Sequence, residues 1–145
     1  MSNDAAAELI ADFTQEIWNG GDLATLGDYV AADAVIHDIP ENEELHGVDE
    51  FAEWIDDVRT IFPDFHVETD EVIVGEGRIV SRWTASGTDE GGLTDFGLEP
   101  SNERAEWSGT TVYAVEDGAV TEAWWYYDML GILAQLGALP PEMTE

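Results

Sequence analysis

The stretch that decides the fold reads Asp117-Gly118-Ala119-Val120-Thr121-Glu122-Ala123-Trp124-Trp125-Tyr126-Tyr127-Asp128. Asp117-Gly118 predicts a two-residue hairpin turn, because glycine readily adopts the positive φ that a type I′ turn requires. The residues after the turn are rich in strand formers. The sequence therefore predicts a β-hairpin whose second strand extends to Asp128.

Alternation along this strand suggests a site. Alternate side chains share a face, so one face is expected to carry Glu122, Trp124, Tyr126 and Asp128, and the other Thr121, Ala123, Trp125 and Tyr127. Aromatic rings with carboxylates among them favour a pocket. A carboxylate in an apolar setting has a raised pKa and can act as a general acid or base. Asp128 is therefore a candidate catalytic group; it can also simply N-cap the next helix, and the two interpretations are compatible.

Charge sets the second constraint. The 145 residues include 33 acidic side chains, four arginines and no lysine, for a formal net charge of −29. Such self-repulsion destabilises a compact state at low salt, but at about 1 M salt the Debye length is about 3 Å and the repulsion is screened. Because the charge is spread along the chain, it indicates a salt-adapted, halophilic protein. The same charge argues against nucleic acid and anionic membranes as partners.

Composition indicates a single domain over residues 1–145. Apolar residues make up 44% of the chain, which is typical of a globular protein. No apolar run is long enough to span a bilayer, and the N-terminus lacks the pattern of a signal peptide. We therefore expect a cytoplasmic protein. With no cysteine in the chain, disulfides and thiolate chemistry are excluded.

Hydrophobic periodicity predicts helices first and strands afterwards. Helices are expected over residues 4–19, 22–29 and 48–61, with a strand over 34–40 and a polar loop over 41–47. Longer strands are expected over residues 65–74, 78–87, 103–115 and 120–128, with a loop over 89–102. A short helix over 129–137 follows, and residues 142–145 are expected to be mobile. Strands grouped after helices indicate an α+β domain with a mostly antiparallel sheet.

Short motifs occur in order over roughly residues 5–140. They are Val35-Ile36-His37-Asp38, Gly47, Phe62-Pro63-Asp64, Val80-Ser81-Arg82-Trp83-Thr84-Ala85-Ser86-Gly87-Thr88, Asp117-Gly118, Glu122-Ala123-Trp124, Asp128-Met129-Leu130-Gly131 and Gln135-Leu136-Gly137. In order and spacing they resemble the SnoaL-like polyketide cyclase (ester cyclase) group of the NTF2-like superfamily.

The resemblance implies a cone: a curved sheet with three helices of the N-terminal half on its concave side. It also implies a deep pocket for a hydrophobic small molecule with a carbonyl group, used without a metal or cofactor. In characterised cyclases of this group, an aspartate on the last strand performs acid/base chemistry in an intramolecular aldol closure, and by position that residue is Asp128. The implied function is an enzyme of cyclase, isomerase or hydrolase type. The alternative is a non-catalytic small-molecule-binding or assembly module, because one fold hosts many functions.

Two further side chains are candidate catalytic groups. A neutral His37 imidazole can orient a carbonyl or assist proton transfer, or it can be hydrogen-bonded within the core. Arg82 lies in an apolar strand pattern, where it can steer an enolate or an ester carbonyl, or form a structural ion pair.

The candidate substrate-binding residues are Trp124, Tyr126, Trp83, Glu122 and Trp54. For the aromatic residues, core packing is the alternative. No cluster has the spacing of metal ligands.

One position departs from the family pattern. Many members of the group carry histidine directly after Gly-Thr at the end of the Arg-Trp strand, whereas here Asp89 follows Gly87-Thr88. The identity of the substrate therefore does not transfer. Relatives commonly pair through the outer face of the sheet, so we expect a homodimer, with Thr111, Tyr113, Trp125 and Tyr127 as candidate contacts.

Overall fold

Six strands form one curved sheet in the computed structural model, which describes residues 2–139. They are β1 (Val30–Asp38), β2 (Glu43–His46), β3 (His66–Gly75), β4 (Arg78–Thr88), β5 (Arg104–Glu116) and β6 (Ala119–Tyr127). Their order across the sheet is β2-β1-β6-β5-β4-β3. Neighbours pair antiparallel except β1 and β6, which are parallel. The predicted α+β architecture is therefore confirmed.

Helices cover the concave side of the sheet. They are α1 (Asn3–Phe13), which continues into a π-helical turn (Thr14–Asn19), then a 3₁₀ helix (Leu23–Asp28), α2 (Gly47–Ile61) and α3 (Met129–Gln135). The core lies between α1, α2 and the sheet, where Phe13, Phe51 and Ile55 are fully buried. The apolar stripes that predicted helices over 4–19 and 48–61 are thus the surfaces that pack on the strands.

Two predicted elements differ in detail. Residues 22–29, expected as an α-helix, form the short 3₁₀ helix Leu23–Asp28. Residues 41–47, expected as a loop, contain the edge strand β2. Its residues are mostly exposed, and Glu-Glu-Leu-His lacks the β-branched and aromatic residues typical of strands. Backbone pairing with the end of β1, which periodicity does not reveal, places it in the sheet.

The hairpin turn is confirmed. Asp117 and Gly118 have φ angles of 53° and 78°, and Glu116 pairs with Ala119 on either side of them. Both central residues thus adopt the positive φ of a type I′ turn.

A β-bulge lies just after this turn. Val115 pairs with Val120 but Ala114 pairs with Glu122, so Thr121 is an extra residue in β6. From Glu122 onwards the predicted alternation is confirmed: Ala123, Trp125 and Tyr127 share the concave side, and Glu122, Trp124 and Tyr126 share the convex side. The expectation that Glu122, Trp124 and Tyr126 face a pocket is nevertheless wrong, because the other set packs inward.

The side chains expected to form the dimer contacts also pack inward. Thr111, Tyr113 and Trp125 are buried and Tyr127 is half-buried, all within the monomer. They are therefore not an outer surface, and the homodimer itself stays a prediction. Among the helices of residues 2–139, none combines the length and apolarity needed to cross a membrane. The predicted mobility of residues 142–145 concerns a segment outside the described residues.

Candidate functional site: an aromatic cavity with a buried carboxyl pair

A cavity of about 630 Å³ lies between the concave face of the sheet, α2 and the segment 91–96. Strands β4, β5 and β6 contribute side chains to it that include Ser81, Trp83, Trp107, Tyr113, Trp125 and Tyr127. Each of these lies on the concave side of its strand, where alternate residues are buried. A cavity of this size suits a small organic ligand.

Three tryptophans from different elements meet in the cavity wall. Trp18 comes from the π-helical turn, Trp54 from α2 and Trp125 from β6. The rings of Trp18 and Trp54 lie edge to face with centroids 5.6 Å apart, and those of Trp54 and Trp125 do so at 5.4 Å. Edge-to-face packing holds each ring in a defined orientation. The wall is therefore apolar and preorganised.

Trp83 is fixed by its own polar atom. Its ring nitrogen Nε1 donates a hydrogen bond of 2.9 Å to Thr111 Oγ1, and both residues are buried. Burial raises the pKa of the neighbouring Tyr113, which also lines the cavity, so its phenol stays neutral.

A buried carboxylate lies next to Tyr127, one of the residues that line the cavity. Asp38 is only 1% exposed, because β1 runs parallel to β6 and places it beside Trp125. Tyr127 donates a hydrogen bond of 2.7 Å from its hydroxyl to Asp38 Oδ1. The other oxygen, Oδ2, is buried without a hydrogen-bond partner within residues 2–139. A buried carboxylate oxygen without a hydrogen-bond donor destabilises the folded state unless a neighbouring group supplies a proton.

Glu41 is the group that can supply this proton. It lies in the turn between β1 and β2 and lines the cavity together with Tyr127. Burial is the main cause that raises the pKa of Glu41 to about 8, and the proximity of Asp38 and the charges of Glu43 and Asp95 raise it further. Protonated Glu41 can donate to Asp38, and the pair then carries one negative charge instead of two. Burial, followed by the charge of Asp38, also raises the pKa of Tyr127, so its phenol stays protonated.

The loop after β4 forms another wall of the cavity. Buried Asp89 accepts hydrogen bonds from the backbone of Gly92 (2.8 Å) and from the backbone and hydroxyl of Ser101 (both 3.0 Å). The amides of Glu90 and Gly91 also bond to the carbonyl of Ile61, at the end of α2. Asp89, which stands where many family members have histidine, thus organises the loop whose residues 91–96 line the cavity.

Asp128 does not lie in the cavity. It is exposed, directly after β6, and its Oδ1 accepts a hydrogen bond of 2.9 Å from the amide of Gly131 in the first turn of α3. The expectation of a buried Asp128 is therefore wrong, and the helix-capping interpretation describes its geometry.

His37 and the predicted residues near it meet on the convex face. His37 Nε2 lies 2.7 Å from Glu122 Oε2, and its ring stacks on Trp124 with centroids 5.3 Å apart. Tyr126 lies on the same face and is 47% exposed. The structure thus brings His37, Glu122 and Trp124 together, but on the side of the sheet opposite to the cavity.

Arg82 also points away from the cavity. Its Nε lies 3.4 Å from Glu71 Oε1 and its Nη1 lies 3.8 Å from Asp70 Oδ2, and the side chain is more than half exposed. This is the ion pair weighed as the alternative to enolate steering. Of the predicted site residues, Trp83 and Trp54 line the cavity.

Sequence reasoning missed Asp38 and Glu41. Asp38 alternates with Ala34 and Ile36 on the buried face of β1, so a carboxylate on an otherwise apolar face was the available signal. Glu41 gave no local signal, because it lies in a turn without regular alternation, and the sequence does not show that this turn reaches Tyr127 and Asp95. Within residues 2–139, no group of three His, Asp or Glu residues has the geometry to hold a metal ion.

Comparison with known proteins identifies the family. The model of the family described as "SnoaL-like polyketide cyclase" matches residues 8–136 of this chain. Among solved structures, TsrD from Streptomyces laurentii has a TM-score of 0.84 at 24% identity, covering 96% of this chain and 99% of its own. A candidate polyketide cyclase from Acidithiobacillus ferrooxidans has a TM-score of 0.81 at 27% identity, covering 94% and 98%. IdmH, a candidate polyketide cyclase from Streptomyces antibioticus, has a TM-score of 0.76 at 27% identity, covering 90% and 97%.

Among proteins of curated function, none matches the chain significantly. The family match nevertheless extends over most of the sequence, and the solved structures share the whole fold. On these grounds the chain belongs to the SnoaL-like polyketide cyclase family.

Proposed function

We propose that the protein is a cyclase- or isomerase-type enzyme that moves a proton at the carbon next to a carbonyl group in an apolar small molecule. The observation that carries the proposal is Glu41 in the wall of an aromatic cavity, beside buried Asp38, with the pKa of Glu41 raised to about 8. A general acid or base is most effective when its pKa lies near the working pH. This pair takes the acid/base role that the family resemblance assigns to Asp128.

Each member of the pair has a distinct role. Ionised Glu41 takes the proton from the α carbon and leaves an enolate. In an aldol closure the enolate attacks a second carbonyl, and protonated Glu41 returns its proton to the new alkoxide, so the carboxylate is regenerated. Asp38 is a positioning residue: fixed by Tyr127, it keeps the proton affinity of Glu41 high. An apolar wall supports this chemistry by excluding water.

Hydrogen–deuterium exchange tests the proposal without the natural substrate. Small aromatic ketones such as 2-tetralone are incubated in D₂O with the protein, and exchange at the α carbon is followed by NMR. We expect the protein to accelerate exchange and Glu41→Gln to abolish most of the acceleration. Glu44→Gln, at an exposed glutamate of β2 that lies outside the cavity lining, serves as a matched control and should retain it.

Two outcomes would contradict the enzymatic proposal. One is no acceleration with any ketone in the panel, and the other is equal acceleration by wild type and Glu41→Gln. A ketone that binds and is recovered without exchange would support the alternative function, a non-catalytic module that binds small molecules.

We further propose that the fold is adapted to molar salt. The support is the net charge of −29, carried with only four arginines, since self-repulsion of this size is screened only at high ionic strength. Urea denaturation in about 0.2 M and about 3 M KCl tests it. Higher stability is expected at the higher salt, and equal stability would contradict the proposal.

A further inference from the structure

Carboxylates from three separate segments surround the cavity. Glu41 and Glu43 come from the β1–β2 region, Glu50, Glu53 and Asp57 from α2, and Asp95 from the loop after β4. The described lining contains neither lysine nor arginine. The cavity is therefore walled by aromatic rings and bordered by charge of one sign.

This charge acts on the cavity as well as on the surrounding surface. Burial raises the pKa of Asp57, and the charges of Asp95, Asp56 and Glu53 raise it further. Asp95 also contributes to the raised pKa of Glu41. Since one carboxylate acts on groups from two other segments, the charges converge on the same space. Glu41 is half-buried, whereas Asp57 and Asp95 lie at the exposed edge of the cavity.

The cations of the chain are used elsewhere. Arg59, although on α2, donates hydrogen bonds from Nη1 to the carbonyls of Trp18 (2.6 Å) and Asn19 (3.0 Å). Arg78 donates a hydrogen bond of 3.1 Å to the carbonyl of Gly77 in the β3–β4 turn. Arg82 lies on the convex face, and Arg104 pairs with Glu106. Within the described residues, the carboxylates that line the cavity are thus left without a compensating cation.

The apolar wall suits the same kind of ligand. The rings of Trp18, Trp54 and Trp125 pack against one another, with their centroids 5.4–6.1 Å apart. Tryptophan faces attract cations, most strongly where the cation is removed from water. A protonated amine on an aromatic or alicyclic body would satisfy both the rings and the carboxylates, whereas a carboxylate or phosphate would be repelled by them.

We propose that the cavity selects apolar molecules that carry a protonated or quaternary amine, and rejects anions. This inference rests on the proposed function, because it makes the carbonyl substrate of that reaction an amine. The ligand is thereby specified as a cation, and the proton transfer by Glu41 is unchanged.

Binding of three probes of nearly equal shape tests the proposal. They are (2-naphthylmethyl)trimethylammonium, its neutral carbon isostere 2-neopentylnaphthalene, and 2-naphthylacetate. Affinities are measured by tryptophan fluorescence in molar KCl. We expect the cation to bind about tenfold more tightly than the neutral isostere, and the carboxylate to bind at least about tenfold more weakly than the neutral isostere.

Two double variants separate the local field from the total charge. Asp57→Asn with Asp95→Asn removes two charges at the cavity, and Glu76→Gln with Glu116→Gln removes two exposed charges at the hairpin turns. The cavity double variant should lower the affinity for the cation about threefold or more and leave the affinity for the neutral isostere unchanged. The turn double variant should change neither affinity.

The proposal is overturned if wild type binds the neutral isostere as tightly as the cation. It is also overturned if both double variants weaken cation binding equally. Neither result affects the exchange experiment with Glu41→Gln, so failure here is distinguishable from failure of the proposed function.

Discussion

The two faces of β6 carry nearly the same set of side chains in different surroundings. On the convex face, Trp124 and Tyr126 lie with Glu122 and His37, half-buried or exposed. On the concave face, Trp125 and Tyr127 lie with Asp38 and Glu41 at a cavity wall. Both faces thus combine two aromatic rings, a carboxylate and a titratable partner.

Burial accounts for the difference between the faces. Removal from water and the proximity of Asp38 raise the pKa of Glu41 into the range where it can exchange protons. On the convex face, Glu122 has an exposed side chain next to His37. Residue type alone therefore does not identify the candidate site, because the surroundings decide which carboxylate becomes reactive. Matched substitutions on the two faces test this difference in surroundings.

The largest contrast is expected in proton exchange. Glu41→Gln should lower the rate of α-proton exchange by about 10²- to 10⁴-fold, the usual contribution of a general base. Glu122→Gln should leave the rate unchanged, because Glu122 lies across the sheet from the cavity. Exchange measured by NMR with the same ketone compares the two. A large loss in Glu122→Gln with none in Glu41→Gln would assign the chemistry to the convex face.

Stability should separate the two adjacent tryptophans. Trp125 is 5% exposed and packs against Trp18, Phe51, Trp54 and Tyr113. Trp125→Ala should therefore destabilise the fold by about 3–5 kcal/mol. Trp124→Ala loses mainly its stacking on His37 and should cost about 1 kcal/mol. Urea denaturation in molar salt measures both, and equal costs would contradict the assignment of Trp125 to the buried face and Trp124 to the convex face.

The pH dependence of stability should change in Glu41→Gln. The pKa of Glu41 is raised from 4.5 to about 8 in the folded state, so the folded state binds the proton more tightly than the unfolded state. This contribution is complete below about pH 4.5 and is lost as the pH rises through about 8. Relative to wild type, Glu41→Gln should therefore be more stable at about pH 9 than at about pH 5.

Denaturation of both proteins across this pH range measures the difference. Glu44→Gln on exposed β2 is the control, and its stability relative to wild type should vary less with pH. A stability difference between Glu41→Gln and wild type that does not grow with pH would contradict the raised pKa.

The smallest contrast is expected between the two tyrosines. Tyr127→Phe removes the hydrogen bond to buried Asp38 and should cost about 1–2 kcal/mol, whereas Tyr126→Phe on the exposed face should be close to neutral. Loss of this donor leaves the negative charge of the Asp38–Glu41 pair less stabilised. The midpoint of the pH–rate profile for exchange should therefore rise in Tyr127→Phe and stay fixed in Tyr126→Phe. A fixed midpoint in both would exclude a positioning role for Asp38.

Local patterns in the sequence predicted much of the fold. Asp117-Gly118 identified the hairpin, and the apolar stripe over 48–61 matched α2 (Gly47–Ile61) almost residue for residue. Both features depend on short-range chemistry, namely positive φ and helical periodicity. Edge strand β2 was missed because its side chains are mostly exposed.

The candidate site was less predictable, for two physical reasons. Both faces of β6 carry aromatic side chains, so alternation separated the two faces without showing which one is buried. Asp38 reaches Tyr127 only through the parallel pairing of β1 with β6, which joins segments about 90 residues apart.

The proposed proton transfer depends most on the protonation of Glu41, which ¹³C NMR can measure directly. Glutamate side-chain carboxyl signals are titrated in molar salt, and the Glu41 signal is assigned by its absence in Glu41→Gln. We expect this carboxyl to titrate near pH 8. A Glu41 signal that titrates near its ordinary pKa of 4.5 would contradict it.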